Sequence, residues 1–133
     1  MVLRPWELVD ADWYASARDE EILRWTSEPR NLEPAEVRTA ILKYRSEPGF
    51  VCLAITGAQT GELLGNLALG PKAGLDAEIS YWLAPDARGR GIATEAVKLL
   101  SDWAFAAGFT CLQKNASRKH PFAGRCVASR LRF

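Results

Sequence analysis

The sequence predicts a domain of mixed helix and strand, α/β or α+β, on three observations. Residues 50–69 read as two apolar strands joined by a glycine-bearing turn, a hairpin. Val37, Ile41 and Tyr44 recur at i, i+4 and i+7, which makes one buried helix face. Between Tyr81 and Ala104 an apolar strand runs into Pro85, a basic glycine-containing loop follows, and an amphipathic helix starts at once.

In chain order, Val2 to Arg4 is a short strand stopped by Pro5. Asp10 caps a helix reaching about Arg18, with Trp13 and Ala17 on one face. Glu20 to Trp25 adds another helical turn or two, and Pro29 interrupts it. Pro34 has the fixed φ that suits a first helical turn, and that helix runs through Tyr44 to the break at Pro48-Gly49. Phe50 to Thr56 and Glu62 to Leu69 are the hairpin strands, and Gly65 marks a bulge or a close approach. Pro71 to Asp76 is a loop, and Ala77 to Leu83 is the central strand. Ile92, Ala96, Leu99 or Leu100, Trp103 and Ala107 are expected as the buried stripe of the long helix, with Gly108 as its cap. A last strand is expected only to about Gln113, because Leu112 to Lys119 has almost no apolar face.

The 133 residues suit one domain, and 48% hydrophobic with 25% charged residues excludes a disordered chain. No run is long enough to span a membrane and no secretory signal is visible, so a cytoplasmic protein is expected. A net charge of +1 argues against a nucleic-acid partner. Lys114, Arg118, Lys119, Arg125, Arg130 and Arg132 make a basic tail, whose plain reading is a solvated segment. Cys52, Cys111 and Cys126 form no Cys-x-x-Cys or Cys/His cluster, so neither a metal site nor a disulfide framework is indicated. The single histidine, His120, is expected on the surface.

The chemistry concentrates at Arg88-Gly89-Arg90-Gly91-Ile92-Ala93. Unpaired N–H groups at a helix start favour anions, and a glycine-lined turn lets phosphate oxygens approach. Arg88 and Arg90 add fork-shaped donors. The dinucleotide fingerprint Gly-x-Gly-x-x-Gly is absent. Arg88-x-x-Gly91-x-Ala93 between strand and helix resembles the acyl-CoA pyrophosphate loop of the GCN5-related N-acetyltransferases, the GNAT family. The wider stretch from Glu78 to Phe105 resembles the branch containing ribosomal-protein N-terminal acetyltransferases. The resemblance runs from about Leu3 to Gln113 and is weak over 114–133, with the whole of 1–133 read as one domain.

The resemblance implies an α/β fold with a GNAT-like mixed sheet and flanking helices, the C-terminal strands missing. It implies acetyl-CoA as co-substrate and a primary amine as acceptor, on a protein N-terminus or a small molecule. It places pantetheine-binding backbone at Trp82, Leu83 and Ala84, and pyrophosphate binding at Arg88, Gly89, Arg90, Gly91, Ile92 and Ala93. Glu78, at the start of the same strand, is the candidate base, against an equally weighted reading as an exposed strand-end acid. Trp25 is a candidate for an aromatic acceptor pocket, since the first two helices line that cleft in relatives. An ungapped reading lays Pro121 to Phe133 on the family's last helix. There Ala128 stands where a thiol-protonating tyrosine is expected, and Gly124 where this branch uses serine. The rival function is a catalytically impaired acyl-CoA-binding or oligomerising remnant of the fold. A sheet edge left open near Thr110 to Gln113 would favour a homodimer through the C-terminal region.

Overall fold

A computed structural model describes residues 1–26, 28–114 and 126–129, of which Lys114 and 126–129 are described by backbone alone. Strand β1 (Val2–Pro5) leads through a 3-10 turn, Leu8–Asp10, into helices α1 (Ala11–Ala17), α2 (Glu20–Trp25) and α3 (Pro34–Ser46). Strands β2 (Val51–Thr56), β3 (Leu63–Pro71) and β4 (Asp76–Leu83) follow. A second 3-10 turn, Pro85–Ala87, precedes α4 (Ile92–Ala106), and β5 (Cys111–Lys114) and β6 (Cys126–Ser129) come last. The six strands form one sheet in sequence order, antiparallel throughout except for the parallel pair β4–β5.

Asp10 does not cap α1 with its side chain. Its carboxylate accepts from Glu7 N–H and from both terminal nitrogens of Arg4, which ties β1 to the turn. Asp19 does cap α2, accepting from Ile22 N–H at 3.0 Å. Glu33 and Glu36 form a reciprocal capping box at the start of α3, with Pro34 at its first turn.

Strand alternation gives the sheet two unlike faces. Ile55, Leu67, Leu69 and Ile79 are fully buried and pack with Ile92, Ala96, Leu100 and Ala104 of α4. The expected α4 stripe is therefore corrected: Leu100 and Ala104 are inside, while Leu99, Trp103 and Ala107 are exposed. A helix repeat of 3.6 carries the face from Ile92 to Ala96, Leu100 and Ala104, and Trp103 stands off it. The opposite sheet face lies under α1 to α3. Only Val37 of the predicted α3 stripe is buried; Ile41 is half-buried and Tyr44 is exposed. An apolar stripe of helical period marks a cleft wall as readily as a core.

Gly65 makes the close approach expected of it. A Cβ there would stand 2.2 Å from the Trp82 carbonyl oxygen. The β2–β3 ladder also shifts by one residue between Ile55 and Thr56, opposite this point. Gly65→Ala should cost about 3 kcal/mol, because backbone rather than a flexible side chain must yield. Urea unfolding should show a lower midpoint with an unchanged slope. A midpoint equal to the parent's would show that the strands part there freely.

At the C-terminal end the sequence reading is corrected. Residues 126–129, laid on a helix by resemblance, form strand β6, antiparallel to β5 with Leu112 opposite Ala128. The edge near Thr110 to Gln113 is thus paired within the chain, which removes the open edge that motivated a homodimer there. The β5 strand itself, Cys111–Lys114, ends where the sequence predicts. Pro121, Gly124, His120 and Phe133 lie outside the described residues. Cys111 is disulfide-bonded, against the reading from cysteine spacing, and Cys52 is free. No helix among the described residues is long and apolar enough to cross a membrane. No cluster of His, Cys, Asp or Glu among them could hold a metal ion.

Candidate active site

The sheet face opposite α4 floors a cleft of about 800 Å³ walled by α1 to α3. Its floor follows from register. Glu78, Ser80 and Trp82 alternate along β4 and line it, opposite Gly70, Ala68 and Asn66 of β3. Cys52, opposite Ala68 on β2, extends the floor. Burial, with the Glu28 charge second, pushes the Cys52 thiol up, so it sits there as a small neutral side chain.

Trp82 closes one end of the cleft within a packed aromatic group. Trp13 stacks between Trp6 and Trp82, at centroid distances of 6.2 and 6.0 Å. Tyr14 meets both Trp6 and Trp82 edge-on, at 5.0 and 5.2 Å. The polar edges of the group are satisfied: Trp6 Nε1–H donates to Asn66 Oδ1 at 2.9 Å, and Trp82 Nε1–H to Glu28 Oε1 at 2.9 Å. The Tyr14 hydroxyl donates to the same Glu28 oxygen. Burial, then the Glu28 charge, pushes the Tyr14 phenol far up and keeps it protonated as a donor. The other Glu28 oxygen faces Arg18 NH1 at 3.5 Å, and the Arg18 side chain is 3% exposed. Arg18 also donates to the Pro29 carbonyl, while its Nε has no partner among the described residues. Glu28 is therefore a neutralised hub that fixes Trp82, Tyr14 and Arg18.

Glu78 differs. Its carboxylate is 27% exposed, borders the cleft, and faces Lys72 Nζ at 2.7 Å. Lys72 is 45% exposed on the turn after β3, so its side chain can leave for water at small cost.

The sequence-predicted cofactor residues adjoin the floor. Strand β4 pairs with β5 only over Asp76 to Ile79. Among the described residues, no strand pairs with that edge of β4 from Ser80 to Leu83, which includes Trp82 and Leu83. Ala84 N–H donates back to Leu64 O at 2.8 Å. Gly89 and Gly91 both adopt φ +74°, and a Cβ on either would meet nothing within 4 Å. Glycine is required there by backbone sign, while the space in front of the loop stays open. Gly91 is the N-cap of α4, so Ile92 and Ala93 open a helix of 15 residues toward that space. Arg90 is exposed. The end of β4 beyond its pairing with β5, an open turn and a helix start fit the pantetheine arm and pyrophosphate of a CoA thioester.

Arg88 is placed differently from the expectation. Its two terminal nitrogens each donate to Asp19 at 2.8 Å, so it clamps the loop to the N-terminus of α2. The Arg88 hydrogen bond holds the Asp19 carboxyl down at about 2 from 3.8. A depressed carboxylate stabilises the fold fully above its unfolded value and loses that contribution as pH falls through the folded one. The clamp should thus hold at pH 5 and release between about pH 4 and 2. Asp19→Asn should flatten the acid limb of a stability–pH curve in that window. An unchanged limb would place the acid sensitivity elsewhere.

Asp19, Glu28, Tyr14 and Ser80 went unnoticed in the sequence. Ser80 was accessible by period two from Glu78. Glu28 was not, because it stands in an irregular segment whose course no periodicity marks.

The geometry defines a mixed α/β domain in which the end of a central strand, an open glycine turn and a helix start adjoin a cleft. The chain belongs to the GNAT acetyltransferases: the family model described as an acetyltransferase (GNAT) domain matches residues 1–125. No curated protein matches the chain. Among solved structures it resembles a spermidine N-acetyltransferase from Vibrio cholerae in complex with CoA and spermine. The TM-score is 0.75 at 19% identity, covering 85% of this chain and 69% of that one. It also resembles Mycobacterium smegmatis RimJ in complex with CoA-disulfide, at TM-score 0.73 and 24% identity, covering 90% of this chain and 63% of that one. A third likeness is to a putative acetyltransferase from T. thermophilus, at TM-score 0.70 and 22% identity, covering 90% and 65%. The chain thus spans about two thirds of the length of these proteins.

Proposed function

We propose that this chain transfers the acetyl group of acetyl-CoA to a primary amine, on a protein N-terminus or a small molecule. The observation that carries this reading is the double use of β4. The strand presents Glu78 to the cleft and then runs on past its pairing with β5, which covers Asp76 to Ile79, to end beside the turn that leads to α4. Two solved structures of the same fold are complexes with CoA species.

Acetyl-CoA supplies an activated thioester carbonyl. At the end of β4, where the Trp82 carbonyl faces Gly65 and the Ala84 N–H is bound to Leu64, the Leu83 peptide and the Ala84 carbonyl hold the pantetheine arm, and Gly89 to Ala93 with Arg90 hold the pyrophosphate. The amine enters from the cleft as an ammonium, and Glu78 takes its proton, displacing Lys72. The lone pair forms the N–C bond and the carbonyl oxygen gathers charge, for which a β4 N–H is the available donor. The carbonyl re-forms as the C–S bond breaks, and the nitrogen sheds its second proton, which passes through water to the departing thiolate; a thiol titrates at about 8.5, so the thiolate leaves readily.

A second reading, CoA binding without turnover, draws on one observation. Ala128, where resemblance looks for the proton-donating tyrosine, lies in strand β6 rather than on a helix. Native mass spectrometry with acetyl-CoA, followed by product analysis with a panel of primary amines, separates the two. Binding with acetylated product supports transfer, binding without product supports the second reading, and no binding overturns both.

A further inference from the structure

Resting on the acetyl-transfer reading of this cleft, we infer that the acceptor joins its primary amine by a short chain to an aromatic or bulky apolar group. The first argument is charge. Glu28 has spent its oxygens on Tyr14, Trp82 and Arg18. Glu21 is exposed and borders the cleft at its α2 wall. Arg45, which donates to the Trp6 carbonyl at 3.2 Å, adds a positive charge to the cleft lining. On the cleft floor Glu78 has only a half-exposed lysine as partner, so the reacting ammonium is served there.

The second argument is shape. The floor beyond Glu78 is made of small residues, Gly70, Ala68, Ser80 and Cys52, in direct register. The wall above it is apolar: Phe50, Tyr44, Ile41 and Trp25 all border the cleft. Phe50 and Tyr44 lie against each other at 5.4 Å, and both, with Trp25, are more than a third exposed. Aromatic faces in a concavity over a floor of small side chains are where a ring loses most water on binding. The distance between the two subsites is fixed by the sheet. The Phe50 ring covers Gly70, where a Cβ would stand 3.0 Å from Cε1, and Gly70 is the cross-strand partner of Glu78. Cross-strand neighbours are ~5 Å apart, the span of a two- or three-carbon chain.

Calorimetry on the CoA-saturated chain decides this with 2-phenylethylamine, propylamine and spermidine. The peptides Phe-Ala-Ala and Ser-Ala-Ala tell a free amine from a chain terminus as the source of the same chemistry. 2-Phenylethylamine or Phe-Ala-Ala should bind roughly tenfold tighter than propylamine, Ser-Ala-Ala or spermidine, the size of about one aromatic contact. Phe50→Ala and, independently, Tyr44→Ala should each collapse the preference for 2-phenylethylamine over propylamine. Spermidine binding more tightly than 2-phenylethylamine, no amine binding, or a preference intact in both variants overturns the inference. Failure to take up CoA overturns the transfer reading instead; the amine series run without CoA still decides the acceptor class.

Discussion

Glu78→Gln should lower the acetylation rate by ~10²–10⁴-fold, the usual contribution of a general base, and leave acetyl-CoA affinity unchanged. Glutamine keeps the length and planar end of the side chain but cannot accept the amine proton. The position is suited to the role by exposure and by neighbours. The carboxylate borders the cleft, and its partner Lys72 reaches it from a half-exposed turn. A purely structural Glu78 predicts another pattern. Loss of the Lys72 pair would then cost stability of order 0.2–1 kcal/mol and leave rate alone. Single-turnover rates with a saturating amine, beside thermal unfolding, separate the two. A variant within twofold of the parent rate, about 0.4 kcal/mol of barrier, places the base elsewhere.

Gly91→Glu should abolish acetyl-CoA binding while the chain still folds. Two effects combine. Gly91 holds φ +74°, where a side-chain-bearing residue costs roughly 1 kcal/mol. The new carboxylate would also stand in the open space before the α4 start, against incoming phosphate charge. Gly91→Ala isolates the first effect, because its Cβ meets nothing within 4 Å. Alanine should therefore weaken binding modestly and glutamate should remove it. Calorimetry on both variants checks the order, and an unchanged affinity in Gly91→Glu defeats the assignment of this loop.

Local rules made much of this legible beforehand. Pro34, the glycine turn between β2 and β3, and the Pro85 to Ile92 passage each have a mechanism acting within a few residues, and each element appears where that mechanism puts it. Gly65 was legible for the same reason: a missing Cβ in a strand signals a near backbone, and the Trp82 carbonyl is that backbone. What escaped was set by distant partners. Arg88 reads as a phosphate ligand from its own loop, yet Asp19, far back in the chain, claims its guanidinium. Tyr44 reads as core from its helix, yet the space beside it is cleft. Residues 126–129 read as helix by resemblance, yet β5 offers an edge that a strand can pair. None of these competitions leaves a trace in neighbouring residues.

The division of labour in the sheet has a consequence for how such a domain diversifies. Glu78 and the stretch of β4 beyond its β5 pairing sit on one strand, where inserting or deleting a single residue would turn Glu78 toward α4 and displace both features together. The cleft wall is drawn instead from α2, α3 and the residue before β2, where Tyr44, Phe50 and Trp25 are partly exposed and bear little of the core. Substitutions there carry a small stability penalty and do not disturb the reacting groups. On the proposed acetyl-transfer reading, selection can exchange one amine for another through a handful of side chains, leaving β4 as the fixed part of the architecture and the helices as its adjustable jaw.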